Sequence, residues 1–164
     1  MANQKRAVEH RPHRRKLTIV AQDPGVRIGR QVLTTEIEIP AEELGSGPTG
    51  YRVKVVDYDA STNTLYDAPS YPAANGDYVD PFKKALSNEA LLEDPRFHAQ
   101  NVYAIAMRTL ARFEYALGRR IAWGCEGHQI HIAPHAFAEA NAFYSRADRG
   151  VYFGYFKGAS GNTV

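Results

Sequence analysis

The sequence has few of the features that anchor or staple a chain. It has one cysteine, Cys125, in 164 residues, so an internal disulfide framework is excluded. It has no run of about 18 or more apolar residues, which excludes a membrane-spanning helix. The first residues, MANQKRAVEHRPHRRK, are basic but have no apolar segment behind them, so they do not read as a secretory signal. The reading is a cytoplasmic protein by default, or one exported by a route that the sequence does not show. No internal repeat is present. What remains is ordinary globular composition, 44% hydrophobic and 23% charged, at a length that can bury the core of one domain.

The net charge of +2 hides an asymmetry. Residues 1–16 hold Lys5, Arg6, Arg11, Arg14, Arg15 and Lys16 against Glu9, which is +5 and leaves the rest of the chain at −3. Such an arm can meet phosphate or anionic lipid. It has no aromatic residue for stacking and no apolar face, so it reads as a flexible, solvated terminus, and neither nucleic acid nor membrane is expected as a partner. Residues 17–157 then read as a single α+β domain, and 158–164 as a flexible tail of turn composition.

Within that domain, Leu17–Ala21 and Val32–Ile39 read as strands, the second with Leu33, Thr35, Ile37 and Ile39 on one face. Tyr51–Tyr58 reads as a third strand, and residues 59–79 as an irregular loop. Asp80-Pro81 and Asp94-Pro95 each place an Asp at an N-cap and a Pro at the first helical position. The first predicts a short helix ending before Asn88, with one more turn over Asn88–Leu92. The second predicts the longest helix, 96–117, with Val102, Ile105, Ala106, Leu110, Phe113 and Leu117 at helical spacing and Gly118 at its end. A short strand follows over Gln129–Ala133, stopped by Pro134. Asn141–Ser145 and Val151–Phe156 then flank a hairpin loop at Arg146–Gly150. The expected fold is α+β: an antiparallel sheet packed on one long helix.

The stretch from Asp94 to Phe156 resembles the amino-terminal lobe of the thermolysin-like (gluzincin) zinc metallopeptidases. The residues that carry the resemblance are Asp94 and His98 at the head of a helix containing Tyr103, Phe113 and Tyr115, then Ile130–Ala133, then Asn141-Ala142-Phe143-Tyr144, then Val151-Tyr152-Phe153-Gly154. The resemblance implies that the Asn-Ala-Phe-Tyr strand is a sheet edge on which an extended peptide substrate lies. It implies that the Asn141 side chain bonds substrate backbone, that the Ala142 main chain pairs with it, and that Phe143 and Tyr144 shape the adjoining apolar subsites. The family's His-Glu-x-x-His helix, with two zinc ligands and the general base, occurs nowhere in this sequence. No catalytic residue and no cofactor are therefore expected in this chain, with zinc expected only in a full-length or complemented enzyme. The partners implied are an extended peptide or protein, a catalytic half bearing His-Glu-x-x-His, and a second copy of the chain. The alternative is a non-catalytic peptide- or protein-binding module derived from that fold.

Other candidate ligands read as structural. His128, His131 and His135 lie near Cys125 and Glu126, but the glycines and the alternation around them suit a turn and a strand that turn 128 and 131 to opposite faces. His98 reads as a packing or capping residue, and Cys125 as an inert thiol. Asp57 and Asp59 lack the further oxygen ligands that a cation site needs.

Overall fold

A computed structural model describes residues 13–157 apart from 24, 30, 75–76 and 85–87. The expected basic arm, up to residue 12, and the expected tail lie outside the described residues. β1 (Arg14–Val20) pairs antiparallel with β4 (Thr34–Pro40), Leu17 opposite Ile37. β1 thus takes in Arg14, Arg15 and Lys16, which the charge pattern assigned to the arm. The reason is alternation: Arg15, Leu17 and Ile19 turn inward, and each is buried. β2 (Arg27–Ile28) and β3 (Gln31–Val32) form a small hairpin between them. The expected strand 32–39 is split at Leu33, whose carbonyl accepts the Ala21 N–H at 2.8 Å.

The third strand contracts to β5 (Val53–Val55), with both valines buried and Tyr51 exposed. Residues read as an irregular loop hold two further two-residue ladders. These are β6 (Tyr58–Asp59) with β7 (Thr64–Leu65), and β8 (Ala73–Ala74) with β9 (Asp77–Tyr78). Asp80 opens a turn at 81–84 rather than a helix. Its carboxylate accepts from the Thr18 N–H and hydroxyl, both at 2.6 Å, from Phe82 N–H at 2.9 Å and from Gln100 Nε2 at 2.9 Å. A carboxylate bound from three segments acts as an interior knot. Residues 85–87 of that expected helix lie outside the described residues, and α1 (Asn88–Leu92) supplies the further turn.

α2 (Pro95–Leu117) has the expected ends. Asp94 accepts from Arg96 N–H, and Gly118, at φ 63°, takes the left-handed conformation that closes a helix at low steric cost. The buried side differs from expectation: Phe97, Ala99, Gln100, Tyr103, Ala104, Met107 and Leu110 face inward, while Ile105, Phe113 and Leu117 are exposed. Apolar residues occur around most of this helix, so spacing alone did not single out the stripe that β1, β4 and β5 cover.

After α2, β10 (Ile130–Phe137), β11 (Ala142–Ser145) and β12 (Gly150–Gly154) join β5 in a sheet of order β11-β12-β10-β5. The β11–β12 hairpin is antiparallel as expected, but β5 and β12 both run parallel to β10. The expectation of an antiparallel sheet fails here because α2 is a crossover that returns the chain in its original direction between β5 and β10, and because β12, antiparallel to β11, inserts between β11 and β10. β10 also continues through Pro134, where the register with β12 shifts between Ala133 and Phe137. An irregularity of this kind tolerates a residue with no N–H to give. The fold is α+β. Its main core gathers Leu17, Ile39, Val53, Val55, Tyr103 and Ile132 between α2 and the sheets, and a second cluster joins Phe82, Leu91 and Phe97.

Candidate functional site

β11 is the outermost strand of its sheet, and no described strand pairs with its outer side. The register puts Ala142 opposite Phe153, Phe143 opposite Tyr152 and Tyr144 opposite Val151. Gly154 N–H donates to Asn141 C=O at 2.8 Å. Ladder bonds alternate from there, so Phe143 turns its backbone groups toward β12, while Ala142 and Tyr144 turn theirs away. The outer rim therefore presents Ala142 C=O and both backbone groups of Tyr144. The Ala142 N–H is taken by Asn141 Oδ1 at 2.8 Å. Two groups expected to meet substrate thus meet each other, and the rim offers more acceptors than donors.

The side chains divide by face. Phe143 stacks on Tyr152 at 5.1 Å and on Phe137 at 5.7 Å. Tyr144 and Phe153 share the other face with Val55, Ile132 and Val151, the face that packs on α2 nearer β5. Beyond the helix they are left open, at 47% and 39% exposure. Burial first, then the neighbouring Cys125 thiol, raises the Tyr144 phenol above its ordinary value.

A second constellation was not legible as a unit. Asp57, just after β5, accepts through Oδ2 from His135 Nδ1 at 2.7 Å and through Oδ1 from His135 N–H at 3.0 Å. His135 Nε2 lies 2.8 Å from His98 Nδ1, and His98 Nε2 lies 2.8 Å from Leu92 O. Burial first, then the neighbouring His135, pushes His98 below the ordinary histidine value. Beside this line the fully buried Asp59 accepts from Tyr155 hydroxyl (2.6 Å), Thr62 hydroxyl (2.7 Å) and Ser61 N–H (2.8 Å). Burial raises Asp59, and these donors outweigh it, leaving the group below the usual carboxylate value. Asp57 and Asp59 are thus bound by separate protein donors and do not pair around a common point. No local spacing signals this arrangement, since Asp57 and His135 are 78 positions apart and meet only because β5 and β10 are adjacent.

The histidines near Cys125 are engaged separately. His128 stacks on Tyr51 at 4.5 Å, and burial first, then Lys54 and Arg149, lower the proton affinity of His131. Among the described residues, no three His, Cys, Asp or Glu side chains gather as a metal-holding group. No described helix is long and apolar enough to cross a membrane. Compared with family models, with curated proteins and with solved structures, the chain finds no match in any of the three.

Proposed function

We propose that this chain is the amino-terminal, substrate-edge portion of a thermolysin-like zinc metallopeptidase, inactive without a catalytic half that carries His-Glu-x-x-His. The observation that carries the reading is the position of β11 on the outside of its sheet, with the backbone of Ala142 and Tyr144 directed outward. An extended peptide adds to such an edge through backbone bonds that read no side-chain sequence, and the flanking aromatic rings set preference. In this role Ala142 C=O and the Tyr144 backbone pair with peptide, and Phe143 and Tyr144 border its side chains. Asn141 releases the Ala142 N–H when its own side chain turns to the peptide. The general base and the zinc belong to the other half, and this chain contributes binding and orientation.

A second reading, a peptide-binding module without catalysis, is favoured by the exposure of Phe143, Tyr144, Phe153 and Phe156. Two measurements separate the two. A fluorescent, unfolded casein peptide should bind the chain, and Tyr144→Pro, which removes an outward N–H and leaves the β12 ladder intact, should weaken binding about tenfold. Equal binding by both proteins counts against the edge as the site. The DNA after codon 164 decides the rest: an adjoining His-Glu-x-x-His reading frame supports the peptidase, and its absence leaves the module.

A further inference from the structure

Asp57, His135, His98 and the Leu92 carbonyl form one line with links of 2.7, 2.8 and 2.8 Å. The line joins the end of β5, β10, the first turn of α2 and the end of α1. Both of its ends are acceptors: a carbonyl oxygen has no proton to give, and an ionised carboxylate has none either. Three hydrogen bonds need three protons between the heavy atoms. Two neutral imidazoles bring only two.

We propose that His98 and His135 form a proton-binding site, and that the clasp joining α1, α2 and β10 closes only when this pair holds one proton more than two neutral rings. The count is the same wherever along the line that proton sits, because the groups titrate as a unit. Placing it on His135 puts the positive charge against Asp57 and leaves His98 neutral. His98 then donates Nε2–H to Leu92 O and accepts His135 Nε2–H at Nδ1. The lowered proton affinity of His98 agrees with this arrangement.

The clasp fails on both sides of its working range. A second proton would set N–H against N–H between the rings. His98 holds that proton less well folded than its unfolded value of 6.5, so the stability it contributes is full above 6.5 and is lost as pH falls toward the folded value. Loss of the shared proton leaves two protons for three links, and one link opens. The groups around the line do not titrate in between. Asp59 and Asp94 are held below the usual carboxylate range, Asp94 by its bonds from Arg96 against the opposing effect of burial, and both stay anionic. Arg96 stays cationic, raised by the bonds it donates to Asp94. Tyr66, whose ring meets His135 at 5.4 Å, is raised by burial and then by Asp59 and Asp57; Tyr155, at 6.1 Å, is raised by its bond to Asp59. Both stay neutral.

The test is a ring-nitrogen NMR titration of the full chain labelled with 15N-histidine, run from pH 5 to 9 beside amide hydrogen exchange at residues 90–94. At neutral pH the expected result is one ring with both nitrogens protonated and its neighbour neutral as the Nε2–H form. Between the pH at which the opened pair would lose that proton and the step at which the closed pair loses it, protection of those amides should fall about tenfold per pH unit, one proton being lost per opening, and it should level off above the step. Asp57→Asn should move the step to lower pH by a unit or more. The wild-type titration stands on its own if that variant does not fold. Two neutral rings at pH 7, or α1 protection that ignores the step, would overturn the proposal.

Discussion

Arg15 carries a positive charge into the interior and meets mainly aromatic faces there. It is 3% exposed, its guanidinium lies 3.7 Å from the centre of the Tyr78 ring and 5.4 Å from that of Tyr71, and none of its three nitrogens has a hydrogen-bonding partner among the described residues. Burial lowers its proton affinity, against the opposing pull of Tyr103, Tyr78, Tyr71 and Glu42. Arg15→Met keeps the aliphatic stem and removes the desolvated charge, at the loss of a cation–π contact. Stability to urea is expected to rise by about 1 kcal/mol, and a fall of that size would show that the charge is needed where it sits. Tyr155 offers the opposite case. Its hydrogen bond to Asp59 pushes the phenol up to about 12 from 10.0. A raised group contributes stability below its unfolded value and loses it as pH climbs through the folded one, so unfolding should become easier between about pH 10 and 12. Tyr155→Phe should flatten that slope and let Asp59 titrate nearer the ordinary 3.8, as followed by carboxyl NMR. At this scale the sequence was least informative: the basic residues of 14–16 read as solvated, and Asp59 as a carboxylate without the further ligands that a cation site needs. Both roles depend on partners tens of residues away, which no local pattern contains.

Among the elements, α2 was the most legible at its ends and the least along its length. Asp94, Pro95 and Gly118 do at the termini what those residue types do in isolation, because capping is local chemistry. Asp94→Ala removes the acceptor for Arg96 N–H and both side-chain contacts with Arg96, and should cost about 1 kcal/mol in a denaturant titration. A change within error would mean that the first turn is held by the Phe82–Phe97 contact instead. Which stripe of the helix is buried is a tertiary decision, and Tyr103 and Met107 displaced Phe113 and Leu117 from the expected face. Pro134 repeats the lesson for strands. Proline ends a regular ladder, but β10 absorbs it where its register with β12 already slips. The β11–β12 hairpin was readable because a hairpin is nearly as local as a cap; its relation to β10 and β5 was not.

For the whole molecule, the helix-side face of the four-stranded sheet is apolar farther out than its exposed rim is covered. Tyr144 and Phe153 continue the face of Val55 and Ile132 and remain open to solvent beside an unpaired edge. Patches of this kind associate. Light scattering should find dimers or larger species at micromolar concentration, with Phe153→Asp or Tyr144→Lys shifting the population to monomer. A wild-type monomer that neither substitution alters would show the rim to be harmless. The parallel pairing of β5 with β10 has a further consequence, in time rather than space. A ribosome makes about 5 to 20 residues per second, so the 78 positions from Asp57 to His135 take roughly 4 to 16 s to emerge. Throughout that interval Val53 and Val55 lack β10, the strand beside which they pack against α2. The nascent chain is therefore expected to crosslink to ribosome-associated chaperones when stalled near residue 110, and to lose that contact once the β10 segment has cleared the exit tunnel.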